Sequence, residues 1–168
     1  MLRYFCFLFC IFLAACNNPN EHINKQLKDR YERKTDLMSL KYINSDFSFI
    51  EDLYREDFIF NNDRLFIYFV DPNDCSTCIY DGFDVIDQIE LIEGGNFIYT
   101  LTWDNRFDRS LIVVDSNYTS MHLLSSAYSP AFFILNRNLM VENIFLIDGN
   151  INSSTKSAFR FISSAIKK

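Results

Sequence analysis

The sequence predicts an α/β protein: a central mixed sheet flanked by helices, with a helical extension ahead of it. Three observations carry that prediction. Residues 64–70, Arg-Leu-Phe-Ile-Tyr-Phe-Val, form a continuous run of strand-favouring apolar residues, the pattern of a central strand buried on both faces. The turn signal Asp71-Pro72-Asn73-Asp74 follows, and from Cys75 the spacing becomes helical. Ile79, Phe83, Ile86 and Ile89 fall on one side of that helix and Asp87, Glu90 and Glu93 on the other, until Gly94-Gly95 stops it. Strands then return at residues 96–103 and 111–115, and such alternation is the mark of an α/β sheet.

The elements before this core are weaker in pattern. Met-Leu-Arg opens the chain and residues 4–15 are almost unbroken in apolar character, the order of a secretory signal segment that is too short for a permanent bilayer span. The segment closes on Leu13-Ala14-Ala15-Cys16, which resembles the lipobox of bacterial lipoproteins and implies that Cys16 carries lipid chains and binds the bilayer. Residues 16–22 are polar and read as a tether. Residues 23–42 carry both signs of charge and read as a solvated helix, while 42–60 fit a hairpin or a strand followed by a short helix equally well. The expected organisation is a signal segment (1–15), a lipidated tether (16–22), a helical or irregular extension (23–62) and a folded domain (63–168).

Towards the C-terminus, Ser129-Pro130 precedes a strand at 131–135. Asn136-Arg137-Asn138 makes the turn, and 139–147 is the hairpin partner. Asn152 and Ser153 are candidate caps of a last helix that presents Ala158, Phe161, Ile162, Ala165 and Ile166 on one face.

Charge narrows the function. Of 16 Lys and Arg, Arg3 leaves with the signal segment, so 15 face 22 acidic residues, and no basic stripe is present to follow a phosphate backbone. Nucleic acid is therefore not an expected partner. With Cys6 and Cys10 in the signal segment and Cys16 lipidated, Cys75 and Cys78 are the two thiols left to the mature chain.

Two cysteines separated by two residues, where a strand gives way to a helix, have a specific chemical use. The first helical turn offers unpaired backbone N–H groups and the positive end of the dipole, both of which favour thiolate. Cys75 at the entrance is the natural attacker, and Cys78 one turn in is placed to resolve the mixed disulfide. Zinc needs four ligands, and two cysteines with His22 and His122 far away in sequence are poor material for it. A copper-handling role through His122 and a redox-inactive binding module stay open.

The CxxC pair together with Ser129-Pro130 before a strand resembles the thioredoxin fold, and within it the membrane-tethered TlpA/ResA-like thiol-disulfide oxidoreductases. The resemblance spans about residues 64–168. It implies that Pro130 is the proline beside the CxxC which leaves the adjacent backbone free to pair with an extended substrate. It also implies no cofactor, exported proteins with disulfides as substrates, and a membrane or periplasmic thiol as electron donor. Family members often carry a carboxylate three residues after the second cysteine. Asp81 stands there, able to take the resolving thiol's proton or simply to be a solvated surface residue.

Asp74 and Ser76-Thr77 replace the Trp and Pro common around the family's cysteines. Asp71 and Asp74 oppose the helix dipole, so the expectation is a raised thiol pKa and a reducing couple. The buried acid that thioredoxin carries six residues before its first cysteine falls on Phe69, so that proton acceptor is expected to be missing.

Overall fold

A computed structural model describes residues 29, 36–37, 41–53, 58–104, 106–116, 130–147 and 151–167, with side chains of the last segment from 155 onward. The chain divides into two compact units, Met1–Asp36 and Leu37–Lys168, and the elements below belong to the second. The lipobox, the tether and most of the expected solvated helix lie outside the described residues.

Helix α1 covers Phe49–Leu53, strand β1 Arg64–Phe69, helix α2 Ser76–Glu93, β2 Ile98–Thr102, β3 Ile112–Val114, β4 Ala131–Asn136, β5 Val141–Leu146 and helix α3 Ile151–Ile166. The strands form one mixed sheet in the order β3-β2-β1-β4-β5. β1 runs parallel to β2, and β2 to β3, while β4 is antiparallel to both β1 and β5. This is the expected mixed sheet flanked by helices, a thioredoxin-like α/β fold, and β1 is its central strand.

The continuous apolar run of β1 is explained by what lies on its two faces. Phe66, Tyr68 and Val70 join Phe132 and Ile134 of β4 in a core covered by Ile79, Phe83, Ile86 and Ile89 of α2 and by Ala158, Ile162 and Ile166 of α3. The other face carries Phe69 and Phe133, and there Tyr42 and Phe47 close the core, their rings 6.3 and 5.2 Å from that of Phe133. Tyr42, Phe47 and Ile50 are buried, and Asp46 bridges to Met140. In the segment that the sequence leaves undecided, the described residues 42–53 hold a single bridge followed by the short α1. Sheet faces covered on both sides bury strands along nearly their whole length, which is what β1, β2 and β4 show, Thr100 and Thr102 of β2 included.

Both ends of α2 are set by local chemistry. Gly94 has φ +78°, the left-handed conformation of a helix C-cap, and its N–H and that of Gly95 both return to the Glu90 carbonyl, at 2.9 and 3.1 Å. At the other end, Asp71 closes the turn that feeds the helix: its carboxylate accepts from Asn73 N–H at 2.7 Å and its carbonyl from Asp74 N–H at 3.0 Å. One sequence expectation shifts. α3 begins at Ile151, so Asn152 and Ser153 lie within its first turn and not at its cap.

Candidate active site

Cys75 is the N-cap residue of α2, with φ −53° and ψ 113°, and no side chain caps the helix there. The first intrahelical bond starts from it, Ile79 N–H donating to the Cys75 carbonyl at 3.1 Å. The two thiols are unbridged and differ in exposure: Cys75 is open to solvent, whereas Cys78 is only 7% exposed. That difference comes from helical geometry. Three residues carry the chain round to the inward face, where Ile79, Gly82 and Phe83 also point.

Their ionisation follows their surroundings. Hydrogen bonds from Cys78, through its backbone and then its side chain, hold the Cys75 thiol below its ordinary pKa, with Thr77 adding to the effect. Burial drives Cys78 the other way, up to about 12, with the hydrogen bond to Cys75 and the charges of Cys75, Asp81 and Asp74 adding to it. The expectation that neighbouring aspartates raise the thiol pKa therefore needs correcting for the attacker. Backbone donors at the helix start act directly on Cys75, and the carboxylates act on the thiol already deprived of solvent.

Asp81 lies on the same inward side, partly buried, and its Oδ2 is buried without a hydrogen-bond partner among the described residues. Burial, then the charge of Asp84, raises its pKa.

Pro130 is buried and directly precedes β4. In the β1–β4 ladder Phe69 pairs with Ala131, which sets Pro130 at the level of Val70, at the end of β1 that leads into the Cys75 turn. Its carbonyl accepts from Ile147 N–H at 2.9 Å, tying it to the last hairpin. Cys75, Cys78, Asp81 and Pro130 are thus gathered at one end of the central strand. Cys16, His22 and His122 lie outside the described residues. No group of three or more His, Cys, Asp or Glu able to hold a metal occurs among the described residues, and no helix among them is long and apolar enough to cross a membrane.

Two residues of this site escape sequence reasoning. Phe69, at the position where the thioredoxin acid is expected to be missing, is 2% exposed and faces the other core. Its neighbour Tyr68 is the polar residue that points towards the cysteine helix. Its hydroxyl donates to the carbonyls of Ile79, at 3.0 Å, and Cys78, at 3.3 Å. Gly82 makes the room, because a Cβ there would collide with the Tyr68 hydroxyl and ring. The available signal was a lone hydroxyl in a fully buried strand and a lone glycine one turn after Cys78.

No family model matches the chain, and no curated protein matches it. Among solved structures, the chain is similar to a thiol:disulfide interchange protein DsbE from Chlorobium tepidum, at 13% identity over 63% of this chain and 82% of that one, with a TM-score of 0.48. It is also similar to the bacterioferritin comigratory protein of Xanthomonas campestris, at 13% identity over 61% and 80%, TM-score 0.44. A secreted disulfide oxidoreductase of Mycobacterium tuberculosis matches at 9% identity over 61% and 81%, TM-score 0.43.

Proposed function

We propose that this chain is a lipid-anchored, extracytoplasmic thiol-disulfide oxidoreductase that reduces disulfides in exported proteins. One observation carries the reading: an exposed cysteine at a helix start sits one turn before a buried one, with the two thiols shifted in opposite directions. A structural disulfide has no use for that asymmetry.

In the proposed cycle the Cys75 thiolate attacks one sulfur of a substrate disulfide. A bond forms between Cys75 Sγ and that sulfur, the substrate S–S bond breaks, and the first substrate sulfur leaves as thiolate and is protonated by solvent. Cys78 then passes its proton to Asp81 and attacks Cys75 Sγ. The mixed disulfide breaks, the second substrate sulfur leaves, and the Cys75–Cys78 disulfide forms. The substrate gains two electrons and the pair loses two, which an external dithiol donor restores. Pro130, with no N–H to give to a neighbouring strand, leaves space for an extended substrate backbone beside the pair. The signal segment and the Leu-Ala-Ala-Cys16 sequence support the location and the anchor.

Trapping tests the reading. Cys78→Ser should accumulate lasting mixed disulfides between Cys75 and exported proteins in cells, and Cys75→Ser should accumulate none. Equal, empty lanes for both variants would refute it.

A further inference from the structure

Tyr68 is fully buried, and its ring is fixed on two sides: it stacks on Phe132 with centroids 4.6 Å apart and meets the edge of Phe83 at 5.5 Å. The rest of β1 inside the core is hydrocarbon, so a phenylalanine at 68 would satisfy packing alone. The hydroxyl instead takes a polar atom out of water and spends it on the Cys78 and Ile79 carbonyls. Those carbonyls lie in the helix, where they already have amide donors four residues on, so helix formation does not call for a second one. No side chain caps α2 at Cys75, so the Tyr68 hydroxyl holds this turn from the strand side. Gly82 preserves the opening through which it reaches.

We propose that Tyr68 is a positioning residue for the resolving step, its hydroxyl fixing the first turn of α2 so that the Cys78 thiol meets the mixed disulfide on Cys75. This rests on the redox reading above. Tyr68 neither gives nor takes the proton. Burial first, then the charges of Cys78, Asp81 and Asp74, keep its phenol protonated and therefore a constant donor. Its contribution is orientation, which governs intramolecular attack by Cys78 far more than bimolecular attack by exposed Cys75.

The two steps separate when the reduced protein, with Cys6, Cys10 and Cys16 replaced by serine so that Cys75 and Cys78 are its two thiols, reacts with 5,5′-dithiobis(2-nitrobenzoate). Cys75 attack releases one thionitrobenzoate, and Cys78 attack on the resulting mixed disulfide releases the second. Tyr68→Phe keeps the ring and its packing. It should slow the second phase by about tenfold more than the first, the scale of one lost net hydrogen bond. Phe66→Leu, which loosens the same strand without touching the hydroxyl, should lower the melting temperature and leave both phases alone. If Tyr68→Phe does not fold, Gly82→Ala, which displaces the hydroxyl without removing it, should show the same selective slowing. A second phase slowed no more than the first, or equal slowing in Phe66→Leu, overturns the proposal while the redox reading stands. Release of a single thionitrobenzoate by the protein with Tyr68 in place overturns both.

Discussion

At Cys75 and Cys78, two identical side chains one helical turn apart acquire opposite chemistry from their surroundings. The attacker's lowered pKa means that its thiolate fraction is already raised at neutral pH, while Cys78 at about 12 is almost wholly protonated there. Iodoacetamide at about pH 7, where an ordinary thiol is a few per cent ionised, should therefore label Cys75 alone in the folded protein. Cys78 labelling should appear only as the pH climbs towards 12 or when the chain is unfolded, and peptide mass spectrometry reads both. Asp81 lends itself to a sign test. As the proton acceptor it speeds the attack of Cys78, but as a mere negative charge it suppresses the Cys78 thiolate. Asp81→Asn should slow the second thionitrobenzoate release by about a hundredfold, the usual scale of general-base assistance, and faster release would reduce Asp81 to a charge. The places of the pair at the start of a helix and of Pro130 before a strand were legible in the sequence because CxxC after a turn signal and Ser-Pro before an apolar run are distinctive local patterns. Tyr68 was not, because nothing in a run of strand residues says which side chain faces the cysteine helix; the acid position counted back from Cys75 fell on Phe69, on the opposite face.

At the scale of elements, β1 and α2 were legible because their patterns are long and their stops are sharp. The apolar run of β1 ended at Asp71-Pro72, and α2 ended where Gly94-Gly95 required it, at φ +78° for Gly94. Gly94→Ala should cost about 1 kcal/mol, the penalty of a Cβ in the left-handed region. Urea unfolding measures it, and both thionitrobenzoate phases should be unaffected because the substitution lies at the far end of α2 from Cys75. The start of α3 was less legible. Asn152 and Ser153 looked like caps, yet both lie inside a helix that begins at Ile151, since capping residues also fit a first turn when the apolar face behind them is strong. The segment around Phe47 was undecidable for another reason: its order comes from Phe133 and Met140, remote in the sequence, and not from any period of its own.

Across the whole molecule, the sheet order brings together what the chain separates. Cys75 and Pro130 are far apart in sequence, and the Phe69 to Ala131 pairing sets Pro130 at the end of β1 that feeds the Cys75 turn. Alternating strands and helices announced an α/β sheet, but the pairing of β4 between β1 and β5 follows from tertiary contacts that local patterns do not encode. The fold supplies the setting and the two thiols supply the proposed chemistry, so the central claim is that Cys75 and Cys78 form a reversible two-electron couple. Its reduction potential tests that most directly, by equilibrating the protein in defined dithiol buffers and counting free thiols by alkylation. The account predicts one cooperative two-electron transition between about −270 and −200 mV, the span from thioredoxin to glutaredoxins. Thiols that keep one state in every buffer would contradict it.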